Sequence, residues 1–359
     1  MISLNLIIFI IIIYGFIIIY HKRVHKFWGN QPVSKFYYIQ LSEGIISNYI
    51  EKPIINNNFN IQIENKLTEI DLIKDFLNQN YYQNKKYKYI YNYKQLSFLF
   101  NPLINYKTIK IKNIDNNLIG FISSRDFTLS INGYYQKFSY VDLLCTHQKY
   151  RNYKLAPLLI SNIRYENNLN NTKFFMFKIE LNKLPFNYLS KLNYYQLNLN
   201  KNKIYNTNIN LIKNDNTNFI DIYNFFNDNI KKYSVFPVYS LIEFTKLFCN
   251  KNILTYTYVT ENKINGLAIF NIQDIEYNII SYKTVELIYF IDLNNNGFFE
   301  SLINTLKINY DFIICIDIMN NYEFIKKFHF EKGVPCYLQL YNYHVFNCIE
   351  KNQIGINFL

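Results

Sequence analysis

The chain has 359 residues, half of them apolar, which is enough for two domains or one large duplicated one at roughly 150 residues per domain. Its net charge of +12 favours anionic partners, yet the basic residues are scattered apart from His21-Lys22-Arg23-Val24-His25-Lys26 and the stretch 149–154, so nucleic acid is not expected. The 5 cysteines are odd in number, widely spaced and without CxxC or His/Cys ligand spacing, so neither a disulfide framework nor a metal site is expected.

Residues 1–20 carry no charge and are long enough to cross a bilayer as a helix. A cleaved leader would show a basic start and a small-residue cleavage site, and neither is present. With the basic cluster 21–26 directly behind it, a transmembrane anchor over 1–21 is expected, the bulk of the chain lying on the cytosolic face of a membrane. An irregular arm over 22–60 follows, then helices at 68–80 and 93–100. Strands are expected at 108–111, 118–123 and 137–144, with turn signals at Asp115-Asn116-Asn117 and Asn132-Gly133. A helix at 155–167 places Leu155, Leu158, Leu159 and Ile163 on one face, and a strand at 174–179 succeeds it. A similar order recurs: strands at 255–260, 264–270 and 284–291, a helix at 298–309, a strand at 312–318, a helix at 322–328 and a strand at 336–341. The expected fold class is therefore mixed α/β, built from a repeated strands–helix–strand unit.

The stretch from Tyr140 to Pro157 runs strand, basic loop, helix start. Free N–H groups at a helix N-terminus beside Lys149, Arg151 and Lys154 suit a diphosphate, whereas a solvated basic loop is the plain alternative. Neither GxGxxG nor GxxxxGK[ST] occurs, so dinucleotide binding and NTP hydrolysis lack motif support. No Ser-His-Asp or Cys-His grouping stands out. His147 is a candidate base, Cys145 reads as a buried strand-end residue before it reads as a nucleophile, and His329 and His344 read as structural.

Three segments resemble the N-myristoyltransferase family. Lys26-Phe27-Trp28-Gly29-Asn30-Gln31-Pro32-Val33 is similar to its KFWxTQPV opening, and 142–157 is similar to its NFLCVHKKLRSKRxAP signature. The end of the chain, Leu340-Tyr341-Asn342-Tyr343 running to 354–359, is similar to LYNW…VGLVLL, so the resemblance spans about 25–359. It implies two acyl-CoA N-acyltransferase (GNAT-like) lobes in pseudo-twofold arrangement: 61–205 binding myristoyl-CoA, and 206–359 binding peptide and supplying the C-terminal carboxylate. It further implies direct attack of an N-terminal glycine amine on the thioester of myristoyl-CoA, which is a co-substrate; no other cofactor is needed. The oxyanion would be held by the backbone N–H groups of Leu143 and Leu144, and the proton taken by the α-carboxylate of Leu359. Contacts to CoA and the acyl chain would come from Lys26, Phe27, Trp28, Leu144, Cys145, Thr146, Arg151, Asn152, Lys154, Leu155 and Ala156. The partners implied are myristoyl-CoA and the N-terminal Gly peptides of substrate proteins.

The peptide side departs from the family pattern. Gln83-Asn84-Lys85-Lys86 stands where the family has an acidic EDDD, which would remove a preference for basic substrate residues. Residues 187–193 lack the histidine of YWHRSLN, and Glu331-Lys332-Gly333 is what is left of a GDG stretch.

Overall fold

The computed structural model describes residues 4–37, 40–49, 52–56, 58–64, 69–81, 87–100, 105–214, 219–294 and 297–357. Gln83 to Lys86 and Leu359 lie outside these.

Helix α1 (Leu4–Val24) has 21 residues, about 32 Å of axis against a bilayer core of about 30 Å. Its apolar side chains from Leu6 to Ile19 are almost all outward and exposed. By length and composition it can cross a membrane. The helix continues into the basic cluster as far as Val24, and its end docks. His21 is buried, its Nε2 is 2.9 Å from the Pro185 carbonyl, and its Nδ1 is 3.3 Å from the Tyr37 hydroxyl.

The arm contributes β1 (Gly44–Ile45), and β2 (Asn60–Glu64), α2 (Ile70–Asn80), β3 (Tyr87–Ile90) and α3 (Tyr93–Leu99) follow. Then β4 (Tyr106–Lys112), β5 (Leu118–Ile131) and β6 (Tyr134–Thr146) form an antiparallel meander. The β5–β6 hairpin turns on Asn132 (φ 51°) and Gly133 (φ 84°), the left-handed pair that a two-residue turn requires. Helix α4 (Leu155–Leu169) carries the chain to β7 (Phe174–Glu180), which lies parallel to β6. Leu155, Leu158, Leu159 and Ile163 all face the sheet, at most 3% exposed, against Ile109, Ile111, Ile119 and Ile122. Each such aliphatic side chain contributes roughly 2 kcal/mol by leaving water.

After β8 (Ser190–Asn198), β9 (Ile212–Lys213), α5 (Phe219–Ile230), β10 (Val235–Val238) and α6 (Leu241–Phe248), the unit repeats. Strands β11 (Ile253–Thr260), β12 (Lys263–Tyr277) and β13 (Ile280–Asp292) are antiparallel, and α7 (Phe298–Leu306) crosses to β14 (Phe312–Ile316), parallel to β13. The chain closes with α8 (Asn321–Lys327), β15 (Glu331–Tyr341) and β16 (Tyr343–His344). The fold is mixed α/β, as the sequence pattern indicates.

The two units exchange strands. β15 pairs with β7 and β8 pairs with β14, so one 14-stranded sheet runs through both. β10 adds to β5, and β3 adds to β12. Each unit's sheet thus needs segments from the other half of the chain.

Candidate functional site

The site starts from a defect in the β5–β6 ladder. Phe121 pairs with Cys145 and Ser123 with Asp142, so Leu143 and Leu144 together oppose Ile122. This is a β-bulge, which bends the strand and breaks the ladder locally. Leu143 adopts φ 54°, a left-handed conformation that leucine rarely takes. Its side chain is buried, while Leu144 is 37% exposed. The Leu143 N–H donates to the Asp142 carboxylate, with Oδ1 at 2.7 Å.

The bulge forms part of the wall of a cavity of about 540 Å³. Trp28, Val141, Ile160, Ile163, Phe175 and Phe177 give the cavity an apolar side. Asp142, Lys178, Glu180, Glu286, Asn271, Gln273 and Gln95 give it a polar one. Trp28 stands half-buried against Phe177 (ring centroids 6.1 Å, near-parallel) and Phe186 (5.1 Å), with Phe27 edge-on at 4.9 Å.

Segments distant in sequence meet at this wall, which Arg164 and Tyr341 also line. Gln31 Oε1 accepts from Arg164 Nη1 at 2.8 Å and from the Tyr341 hydroxyl at 2.7 Å. The Asn342 N–H donates to the Pro32 carbonyl at 2.7 Å, and Ser34 Oγ lies 2.8 Å from His344 Nδ1. The opening motif (26–33), the signature (142–157) and the closing motif (340–343) therefore share one site. His344 has the structural role expected of it. Burial lowers its pKa, partly offset by Glu43.

The basic loop closes the side near Arg151. His147 caps the 3₁₀ turn Gln148–Tyr153, its Nδ1 accepting from the Lys149 N–H at 3.2 Å, which is a structural task for a residue considered as a base. Lys154 is left-handed (φ 58°) and turns the chain into α4. The Leu158 N–H returns to the Lys154 carbonyl at 3.4 Å and Pro157 has no N–H, so the donors open to an anion here are those of Leu155 and Ala156. Arg151 lines the cavity and reaches the Asn80 carbonyl at 3.5 Å, while Lys149, Asn152 and Lys154 are exposed beside it.

Of the residues expected to contact ligand, Trp28, Leu143, Leu144, Cys145, Thr146 and Arg151 line the cavity. Lys26 is exposed, with its carbonyl accepting from Asn30 Nδ2 at 2.9 Å. The Leu155 side chain is buried in the core under α4, which leaves its N–H for a ligand. Cys145 is 3% exposed, and burial pushes its thiol up to about 12, so it stays protonated and is not a nucleophile. Asn357, two residues before Leu359, donates from Nδ2 to Leu287 O at 3.2 Å and to Glu286 Oε1, a cavity-lining residue, at 3.5 Å.

Sequence reasoning missed the charges inside the cavity. Burial raises the carboxyl groups of Asp142, Glu180 and Glu286, against the opposing pull of Lys178. Burial pulls the Lys178 ammonium down, but Glu286, Glu180 and Asp142 outweigh that and hold it above the usual lysine value. Gln95 Oε1 and Asn271 Oδ1 are buried without a hydrogen-bond donor, on residues 4% and 5% exposed. The polar side is thus rich in acceptors, which suits a ligand bearing N–H donors. A signal existed: Lys178 and Glu180 alternate on one face of the otherwise apolar β7, and Glu286 sits between Val285 and Leu287.

Residues 51–178 match the family described as myristoyl-CoA:protein N-myristoyltransferase, N-terminal domain. The glycylpeptide N-tetradecanoyltransferase of Plasmodium falciparum (isolate 3D7) is 23% identical, over 94% of this chain and 94% of its own. A putative glycylpeptide N-tetradecanoyltransferase of Amsacta moorei entomopoxvirus is 25% identical, over 89% and 97%. Among solved structures, Saccharomyces cerevisiae N-myristoyltransferase with bound myristoyl-CoA superimposes with a TM-score of 0.82 at 17% identity, over 94% of this chain and 95% of that one. Its opening, signature and closing motifs gather at one cavity, and the chain is similar in sequence and in fold to N-myristoyltransferases.

Proposed function

We propose that this chain transfers a myristoyl group from myristoyl-CoA to the N-terminal glycine amine of proteins, by direct attack on the thioester. The observation that carries the reading is the Leu143–Leu144 bulge in the wall of a cavity lined by both apolar and acceptor-bearing side chains. The acyl chain takes the apolar side past Trp28 and Phe177, and the CoA diphosphate takes the Leu155 and Ala156 N–H groups with Arg151, Asn152 and Lys154. As the amine adds, negative charge develops on the carbonyl oxygen. The Leu143 and Leu144 N–H groups receive it, each such donor contributing about 3–4 kcal/mol. The α-carboxylate of Leu359 accepts a proton from the amine, a role that desolvation of a carboxylate favours. Residues 61–205 chiefly form the acyl-CoA lobe and 206–359 the peptide lobe.

The test is full-length protein in detergent with myristoyl-CoA and a Gly-initiated peptide. Release of CoA thiol together with an N-acylated peptide supports the reading. Tight myristoyl-CoA binding without transfer to any amine would replace it with an acyl-CoA-binding protein. We place the catalytic body on the cytosolic face of a membrane, held by α1. Recovery of the full chain in the soluble fraction after carbonate washing would overturn that placement.

A further inference from the structure

The attacking group arrives as an ammonium, since an α-amino group has a pKa of about 8, and two protons must leave nitrogen before the amide is complete. We propose that the Asp142 carboxylate is a second proton acceptor of this reaction, freed for that task when the thioester carbonyl takes over the Leu143 N–H. The inference rests on the transferase reading above.

It begins from a conflict at one donor. The N–H assigned to the oxyanion is held by Asp142 Oδ1 at 2.7 Å. Two anionic oxygens cannot share that N–H at short range without strong repulsion. Binding of the acyl donor therefore turns the carboxylate aside. The Asp142 backbone stays in place, because its carbonyl accepts from Ser123 Oγ at 3.2 Å and the residue remains paired with Ser123 in the ladder. The displaced carboxylate then lies in the cavity wall next to the reacting carbon, having lost a charge-assisted hydrogen bond.

Its surroundings make it a competent base. The charged and titratable groups that interact with it are Arg125 from β5, Tyr140 from its own strand β6, Lys178 and Glu180 from β7, Glu286 from β13, and Tyr81 and Tyr91 from the wall beyond α2. Burial raises the proton affinity of Asp142, and the Leu143 N–H is the first influence that opposes this. Losing that bond on acyl-donor binding strengthens the base at the moment it is needed.

The step balances. The ammonium gives one proton to Asp142, and the freed nitrogen pair forms the C–N bond. After addition the α-carboxylate of Leu359 takes the second nitrogen proton, and the C–S bond breaks with its electron pair on sulfur. That proton passes from Leu359 to the thiolate to give the CoA thiol, and Asp142 later returns its own proton to solvent. The signature that this segment resembles opens on Asn, and an amide cannot accept the proton, so the role does not carry over from that resemblance.

The test uses the full chain, myristoyl-CoA and a Gly-initiated peptide under single-turnover conditions. Asp142→Asn is expected to bind myristoyl-CoA about as tightly as wild type while transferring at least about tenfold more slowly at pH 7. The deficit should shrink as pH rises past about 8, where the amine loses its proton unaided. Formate should restore rate to Asp142→Ala. An Asp142→Asn rate and pH profile equal to wild type, a faster variant, or no formate rescue would overturn the inference while leaving the transferase reading intact. Failure of wild type to acylate any peptide would remove both.

Discussion

Replacing Gln31 by Leu keeps roughly the volume of the side chain and deletes one oxygen that two other elements share. Gln31 Oε1 receives Arg164 Nη1 from α4 at 2.8 Å and the Tyr341 hydroxyl from β15 at 2.7 Å. The three residues are 8%, 6% and 4% exposed, so water replaces the lost oxygen poorly. A charge-assisted bond contributes about 1.5–3 kcal/mol and a neutral one about 1 kcal/mol. The expected loss is therefore about 3 kcal/mol. Because Gln31 sits on the arm three residues after Trp28, the same change should loosen Trp28 and weaken myristoyl-CoA binding. Denaturant unfolding in detergent micelles and isothermal titration with myristoyl-CoA read the two effects. Gln31→Glu keeps an acceptor opposite the guanidinium and should remain close to wild type in both. If Gln31→Leu lies within about 0.5 kcal/mol of wild type, a typical margin for neutral surface changes, the shared oxygen does not couple these segments.

Three further perturbations follow from the same geometry. A Cβ on Gly355 would stand 2.8 Å from Tyr233 Cδ2, and Tyr233 is only 6% exposed, so Gly355→Ala should cost about 1–3 kcal/mol by unfolding and reduce transfer by shifting the tail. Glu69 is held below the usual carboxylate range chiefly by its hydrogen bond from Lys110, so its contribution is present above the unfolded carboxyl pKa and is lost as pH falls through the depressed value. Glu69→Gln should therefore cost about 1–2 kcal/mol at pH 7, Lys110 keeping Glu64 at 2.6 Å, and nothing in strongly acidic solution; a cost independent of pH would refute the pairing. Lys178→Met leaves the Glu286, Glu180 and Asp142 carboxyl groups without their cation and lifts their folded pKa values further. Its stability should then fall as pH rises through the neutral range, by an amount near the lower end of the roughly 3–5 kcal/mol for breaking a buried pair, as pH-dependent thermal unfolding would show.

Much of the frame was legible because local pattern and tertiary role agree. Leu155, Leu158, Leu159 and Ile163 repeat at helical spacing and do pack under α4, and Asn132-Gly133 does turn the β5–β6 hairpin. Between 180 and 255 the pattern failed. Helix α5, Phe-Ile-Asp-Ile-Tyr-Asn-Phe-Phe-Asn-Asp-Asn-Ile, is built from aromatic, β-branched and Asn residues that favour other conformations, and it is held by burying Phe219, Ile222, Phe226 and Ile230. The exchange of β8 with β15 is a long-range pairing that no local signal encodes. At the site, several motif residues line the cavity, but the bulge arises from register between two strands. The Asp142 carboxylate on the Leu143 N–H became visible only once that register was known.

The central claim is tested most directly by incubating the full chain with myristoyl-CoA and three peptides that differ only at the N-terminus: Gly, Ala and acetyl-Gly. Tandem mass spectrometry locates any acyl group. The account predicts a myristoyl group on the α-amine of the Gly peptide and none on the acetyl-Gly peptide. Acylation of the acetyl-Gly peptide at a lysine, or no acylated peptide despite bound myristoyl-CoA, would contradict it.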